Sequence, residues 1–141
     1  MEWIIKEGFE NMDFARVTDM LARSYWVKGI GREEVERAAS NSSLVIGIFT
    51  PEGRQVAFLR AVSDKTRFAY IMDVYVDEDY RRQGIGKRMI EHMLAHPEYA
   101  TIYQWMLVTR DAHEVYADCG FRTLTRPLDW MELRRPRDSA R

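Results

Sequence analysis

Apolar side chains recur at helical spacing in the first quarter of the chain. Within residues 11–25 the apolar positions fall on one helix face, and they are Phe14, Val17, Met20, Leu21 and Tyr25. Asp13 precedes this stripe and is a residue type that caps helices, so it predicts the helix start. After a glycine-containing break, residues 32–39 are rich in Glu and Arg and predict a second helix.

Short apolar runs before and after these helices predict strands. The first run covers residues 3–6. Two longer runs, at residues 44–49 and 55–62, are joined by residues 50–53, whose proline and glycine are typical of a hairpin turn. The two longer runs therefore predict a pair of antiparallel strands.

Residues 68–76 predict a third strand of this group, with two distinct faces. Strict alternation places one set of side chains together, namely Tyr70, Met72, Val74 and Val76. It places the other set on the opposite face, namely Ile71, Asp73 and Tyr75. Asp73 is then a carboxylate in the middle of a strand, which is costly to bury unless it meets a partner.

The second half of the chain alternates strands and helices. Residues 85–94 carry an apolar stripe that predicts a helix closed by Pro97. The remaining predicted elements are a strand at 101–108, a helix at 112–119, and two short strands at 121–124 and 130–133. This order predicts an α/β fold in which about four helices cover both faces of one mixed, mostly antiparallel sheet of about seven strands.

Composition and charge narrow the function. The 141 residues, 46% hydrophobic and 30% charged, fit one domain over 1–135, and we expect a disordered basic tail at 136–141. A formal net charge of -1 gives no overall field for nucleic acid. One cysteine and three histidines do not predict a metal site. Charged residues are mixed into the N-terminus, and no uninterrupted apolar run is long enough to span a bilayer, so we expect no membrane segment and a cytoplasmic location.

A glycine-containing loop between the third strand and the next helix suggests phosphate binding. Residues 81–87 read Arg-Arg-Gln-Gly-Ile-Gly-Lys, so backbone N–H groups gather at the positive end of a helix, amid basic side chains. A P-loop would need Gly at position 81 and Ser or Thr at position 88, but both positions are arginine. A dinucleotide-binding fingerprint would need Gly at position 89, which is Met89. An ordinary charged turn is the alternative.

Two motifs in the right order resemble a known family. Val74-Tyr75-Val76, followed after four residues by Arg81-Arg82-Gln83-Gly84-Ile85-Gly86, resembles the R/Q-x-x-G-x-G/A signature of the GNAT superfamily of N-acetyltransferases. Residues 111–121 resemble its second signature, a Tyr four residues before Gly-Phe on a short helix. The order of elements is also similar over nearly the whole chain. Residues 24–26, 73–76 and 109–113 are similar to a small bacterial GNAT subgroup without an assigned substrate.

The resemblance implies acetyl-CoA (coenzyme A) as the cofactor and a small-molecule primary amine as the acceptor, which attacks the thioester directly. It implies that backbone groups of Val74 and Val76 pair with the pantetheine arm and that the Val74 N–H polarises the acetyl oxygen. The implied coenzyme-binding residues are Val74, Tyr75, Val76, Arg81, Arg82, Gln83, Gly84, Ile85, Gly86, Lys87, Asp111 and Tyr116.

The resemblance also implies roles for individual side chains, each with an alternative. Tyr116 matches the general acid that protonates the leaving thiolate, or it packs beside the coenzyme. Asp73 holds the amine or takes its proton, or it makes a structural hydrogen bond to a nearby loop or to Tyr25. Tyr25 and Trp26 wall the acceptor pocket or pack in the core. Asp111 caps its helix or accepts from the pantetheine amide.

Other functions remain open at this stage. A protein amine as acceptor, a different acyl chain, and a coenzyme A-binding sensor without turnover all fit the same motifs. A nucleic-acid-binding domain using the Arg81-Arg82 loop is disfavoured by the balanced charge. A homodimer is one option for assembly, on analogy with similar folds alone.

Overall fold

Five strands form one sheet in the computed structural model, which describes residues 2–137. The strands are β1 (Ile4–Glu7), β2 (Leu44–Phe49), β3 (Gln55–Ser63), β4 (Phe68–Val76) and β5 (Gln104–Met106). They lie side by side in chain order, the first four antiparallel and β5 parallel to β4. The mixed, mostly antiparallel sheet is confirmed, with five strands where about seven were expected.

The two last expected strands, at 121–124 and 130–133, are not formed. Their backbone is irregular, and residues 127–129 between them make a 3₁₀ turn. Alternating side chains favour a strand, but a strand also needs a neighbouring edge, and the described chain pairs no strand with either segment. Of the tail expected to be disordered, Arg137 forms a bidentate ion pair with Glu34, and residues 138–141 lie outside the described residues.

Four helices flank the sheet, as expected. They are α1 (Phe14–Ala22), α2 (Arg32–Ser40), α3 (Ile85–Leu94) and α4 (His113–Ala117). The Asp13 side chain accepts from the Arg16 N–H and begins α1, as predicted. Because α1 ends at Ala22, Tyr25 lies in the following loop and not on the predicted helix face.

The core consists of two apolar layers on opposite faces of the sheet. In β2, Ile46 and Ile48 pack in the layer that contains α3, whereas Val45 and Phe49 pack in the layer that contains α1 and α2. Burying a side chain of this size stabilises the fold by roughly 1.5–3 kcal/mol. The apolar faces of the helices therefore hold them against the sheet, which is covered on both sides.

A buried ion pair ties α1 to the end of β4. Arg16 Nη2 donates to Asp77 Oδ2 at 2.6 Å, and the Asp77 side chain is almost fully buried. Burial alone raises the pKa of Asp77, but hydrogen bonds from Arg16 and from the Asp79 N–H lower it below its usual value.

A β-bulge at Asp73 interrupts β4. Phe58 pairs with Tyr75 and Arg60 with Met72, so β4 has one more residue than β3 between these pairs, and Asp73 takes a φ of 55°. The extra residue reverses the alternation. Ile71 and Tyr75 therefore face opposite layers, and the predicted grouping of the β4 side chains is wrong beyond the bulge.

The bulge lies where β4 and β5 separate. The two strands pair only through residues 68–70 and 104–106, so the rest of β4 has an open edge on that side. α3 begins close to the end of this edge, because a Cβ added at Gly86 would lie 3.7 Å from Val76 Cγ2. An open strand edge and a helix N-terminus therefore meet in one place.

Candidate active site

α3 begins with a row of unfilled amide donors. Gly84 is its N-cap, has a φ of 77° in the left-handed region, and offers no side chain to cap the helix. The Arg88 N–H donates to the Gly84 carbonyl, but no described residue accepts from the backbone N–H groups of residues 82–87. Orphan donors at the positive end of a helix are a binding site for phosphate oxygens.

The space in front of these donors is open. A Cβ at Gly84 would have no atom within 4 Å, and one at Gly86 would make only ordinary contacts, the nearer at 3.7 Å. Packing within the protein therefore does not require glycine at either position. Small residues here leave room for a group from outside, and the unfilled donors suit a diphosphate.

The basic side chains around the loop differ in their contacts. Arg81 turns back to the sheet, where its Nε donates to the Val76 carbonyl at 2.8 Å and its guanidinium lies 5.1 Å from the centre of the Tyr75 ring. Arg82 and Lys87 are exposed and form no ion pair with any described residue. Both remain available to a phosphate, whereas the Ile85 side chain is in the core and offers only its amide.

The open edge of β4 presents free backbone groups. The Asp77 N–H donates to the Val56 carbonyl of β3, so alternation directs Tyr75 to β3 and turns Val74 and Val76 to the open edge. Arg81 already occupies the Val76 carbonyl. The N–H and carbonyl of Val74 and the N–H of Val76 can therefore pair with an extended ligand. The Tyr75 ring packs in the apolar layer that contains α1 and α2.

Tyr116 lies on α4 with only 8% of its surface exposed and packs edge-to-face against Phe121. Burial above all, with smaller contributions from Tyr25, Asp111 and Cys119, raises the pKa of Tyr116 to about 12. The phenol thus keeps its proton through the whole neutral range. Its hydroxyl makes no hydrogen bond within the described residues, so it is free to donate to a ligand.

Asp73 uses both of its carboxylate oxygens. Arg60 Nε donates to Oδ2 at 2.7 Å, and Trp26 Nε1 donates to Oδ1 at 2.9 Å. The Arg60 and Asp73 side chains are 12% and 10% exposed. Asp73 therefore makes a structural hydrogen bond to a nearby loop, through Trp26 and not through Tyr25. Its role towards an amine stays a prediction.

Tyr25 and Trp26 form an aromatic wall in the loop after α1. Their rings meet edge-to-face at 4.9 Å, and Trp26 also lies 6.3 Å from Tyr75. The two side chains are 45% and 39% exposed, so packing in the core is wrong for both. The Tyr25 hydroxyl accepts from the Arg110 N–H at 3.1 Å. The predicted acceptor residues Tyr25, Trp26 and Asp73 are therefore brought together.

Asp111 does not cap α4. The helix begins at His113, one residue later than predicted, so its N-cap is Ala112. The Ala112 N–H donates to Thr109 Oγ1 at 3.1 Å. Asp111 is exposed, and its contact with a coenzyme stays a prediction.

Arg60 and Arg110 were not among the predicted site residues. Arg60 had a sequence signal, since it is a basic residue inside an apolar strand and the next predicted strand carries an acid at its middle. Arg110 had none, since its contact with Tyr25 spans 85 positions.

Two further properties bear on the site. Within residues 2–137, no group of three or more His, Cys, Asp or Glu side chains is arranged to hold a metal ion. In the same part of the chain, no helix has the length and apolar character needed to cross a bilayer.

Comparisons with known proteins agree on one family. A family model described as acetyltransferase (GNAT) domain matches residues 40–123. A solved structure from Xanthomonas campestris pv. campestris, described as belonging to the GNAT family, is 34% identical with a TM-score of 0.89 and covers 96% of this chain and 95% of its own. A GNAT family acetyltransferase from Streptococcus pneumoniae is 23% identical, with a TM-score of 0.72 and coverage of 98% and 100%.

A third structure, a Clostridium acetobutylicum protein solved with acetyl-CoA, is 17% identical with a TM-score of 0.70 and covers 94% of this chain and 96% of its own. At such identity the likeness shows the fold alone. A search of curated proteins gives no match.

Proposed function

Because the chain belongs to the GNAT family of acetyltransferases, we propose that it transfers the acetyl group of acetyl-CoA directly to a primary amine of a small molecule. Family membership makes it an acyltransferase. The observation that carries the proposal is the row of unfilled amides at the start of α3, which stands beside the open edge of β4.

The chain's own groups suit the parts of this coenzyme. The amides of residues 82–87 would hold the pyrophosphate, with Arg82 and Lys87 adding positive charge. The free backbone groups of Val74 and Val76 would pair with the pantetheine arm as an added strand. The fold is shared with the Clostridium protein that was solved with acetyl-CoA, which supports the assignment. When bound, the coenzyme supplies the acetyl group as an activated thioester.

We propose that the Val74 N–H stabilises charge on the acetyl oxygen. It follows the bulge at Asp73 and points to the open edge, so it is not used by β3. A fixed amide aimed at the oxygen where negative charge develops lowers the barrier, because it needs no reorganisation during the reaction.

Tyr116 acts on the leaving sulfur. Its pKa of about 12 keeps the phenol protonated, but a thiol has a pKa of about 8.5. Complete transfer from this phenol to a thiolate is uphill by about 5 kcal/mol, at 1.36 kcal/mol per pKa unit. We therefore assign Tyr116 as a hydrogen-bond donor to the sulfur while charge develops. An ammonium loses one proton before it attacks and a second from the nitrogen as the amide forms, while the sulfur gains one, so the net reaction releases one proton to solvent.

Asp73 holds the incoming amine. An ionised carboxylate has about four acceptor positions, and Arg60 and Trp26 occupy two of them. The others can accept from an ammonium before it loses its proton. The ion pair with Arg60 fixes the direction in which these positions point.

A turnover assay tests the proposal against its alternatives. The purified protein is mixed with acetyl-CoA and a panel of small amines plus a lysine-containing peptide, and free thiol is measured together with the acetylated product. Thiol release with a small amine supports the proposal. Release with the peptide alone points to a protein acceptor, and coenzyme binding without thiol release above the buffer rate points to a sensor.

We also propose that the chain forms a homodimer through its C-terminal segment. Leu128, Met131 and Leu133 are 96%, 96% and 77% exposed, which is unusual for apolar side chains so close in sequence. β5 is the last strand of the described sheet and has no strand paired on its outer side within residues 2–137, so this side would be where a second copy docks. Sedimentation should show a dimer that Met131→Asp dissociates, and a wild-type monomer at all concentrations would reject it.

A further inference from the structure

Arg110 holds an unpaired positive charge in a fixed place. Its backbone N–H donates to the Tyr25 hydroxyl at 3.1 Å, and its guanidinium carbon lies 4.3 Å from the centre of the Tyr25 ring. The side chain is exposed, and its nitrogens form no hydrogen bond or ion pair with any described residue. The ring orients the guanidinium, and all of its donors are left for a ligand.

This charge lies beside the groups proposed to react. Tyr25 is close enough to Tyr116 to contribute to the raised pKa of that phenol. On its other side Tyr25 contacts Trp26, which donates to Asp73. Arg110 is therefore joined through the rings of Tyr25 and Trp26 to the carboxylate proposed to hold the amine, and Tyr25 lies near the phenol proposed to donate a hydrogen bond to the sulfur.

The free guanidinium of Arg110 favours an acceptor with its own negative charge. Asp73 is already offset by Arg60, with 2.7 Å between Nε and Oδ2, whereas Arg110 has no acidic partner in the described chain. A simple alkylammonium would leave the Arg110 guanidinium without a partner. An amine that also bears an anion would satisfy both ends, its ammonium at Asp73 and its anion at Arg110.

We infer, on the basis of the proposed function, that the acetyl acceptor is an amine that carries an oxyanionic group, a carboxylate or a phosphate, and that Arg110 binds this group. The planar guanidinium matches both anions with two parallel hydrogen bonds. The exposed faces of Tyr25 and Trp26 cover the carbon skeleton between the two charges.

Matched pairs of amines test the inference. One pair is para-(aminomethyl)benzoate and its amide, and the other is O-phosphoethanolamine and ethanolamine. For each compound kcat/KM is measured, together with calorimetric binding to the protein saturated with coenzyme A. In at least one pair we expect the anionic member to be used and bound at least about tenfold better. The pair that shows the larger preference separates carboxylate from phosphate.

Variants assign the preference to the side chain. Arg110→Gln should abolish the preference, with a much larger loss of kcat/KM for the anionic member than for the neutral one, because the backbone bond to Tyr25 is kept. Arg110→Lys should retain part of it, since the charge remains but the planar fork is lost. Arg37→Gln is the matched control, since Arg37 is an exposed arginine in the last turn of α2. A thermal melt confirms that each variant is folded.

The failure of this inference can be told from failure of the proposed function. If amines are acetylated but charged and neutral members are used equally, or if Arg110→Gln keeps the preference, the inference is overturned and the function stands. If no amine is acetylated, the proposed acetyl transfer fails, and the calorimetric binding measurement alone tests the Arg110 site. Tighter binding of the anionic member that depends on Arg110 supports the site, and equal or absent binding overturns it.

Discussion

Gly84→Glu places a carboxylate where the pyrophosphate is proposed to lie. The position has a φ of 77°, and a Cβ there would have no protein atom within 4 Å. The new side chain therefore extends into open space in front of the amides of α3. A left-handed conformation costs a non-glycine residue roughly 1–2 kcal/mol, but this cost is present with and without coenzyme and lowers stability rather than affinity.

The loss of affinity follows from charge. Two like charges about 4 Å apart repel by about 1 kcal/mol in water and about 4 kcal/mol at the effective dielectric of a protein surface. The carboxylate faces a diphosphate, and it also fills part of the space that the phosphates need. We expect coenzyme affinity to fall by about 100-fold or more, since 1.4 kcal/mol corresponds to a factor of ten.

Calorimetric titration with coenzyme A measures this effect. Gly53→Glu is the matched control, since Gly53 has a φ of 95° and equally open surroundings but lies in the turn between β2 and β3. The control should lose stability and keep its affinity for the coenzyme. Unchanged affinity in Gly84→Glu, or an equal loss in Gly53→Glu, would refute the phosphate site at α3.

Three further substitutions probe other parts of the account. Tyr116→Phe should lower kcat by about 100-fold with coenzyme affinity nearly unchanged, and an unaltered kcat would reduce Tyr116 to a packing role. Asp73→Asn should raise the KM for the amine by about tenfold and spare coenzyme binding, whereas a loss of folding in a thermal melt would make the residue structural. Asp77→Asn should cost about 3 kcal/mol of unfolding free energy at neutral pH, because Arg16 loses its partner. The pKa of Asp77 is lowered in the folded state, so this difference should be complete above about pH 3.9 and shrink as the pH falls further, and a difference independent of pH in urea melts would contradict the ion pair.

The parts of the fold that depend on local pattern could be predicted from the sequence. The stripe from Ile85 to Leu94 places α3, and Asp13 marks the start of α1, because both signals are contained within one or two turns of helix. The β4 faces could not be predicted beyond Asp73. Alternation assumes one residue per step, and a bulge adds a residue that no propensity reveals.

The site likewise has a part that local sequence predicts and a part that only the fold brings together. The loop at Gly84 could be found from its motif, since its donors are backbone groups adjacent in sequence. Arg60 and Arg110 reach their partners across 13 and 85 positions, through contacts that only the folded sheet creates. The missing strands at 121–124 and 130–133 are a different case, because their pattern favours a strand but the described chain pairs neither segment with the sheet.

A titration of the ¹⁵N-labelled protein with acetyl-CoA, followed by amide resonances in solution, tests the central claim most directly. We expect saturable shifts at the amides of Gly84, Gly86 and Lys87 and at Val74, with Gly53 unmoved. If the coenzyme saturates the protein and these resonances stay in place, or if no resonance moves at all, α3 and the edge of β4 are not where acetyl-CoA binds.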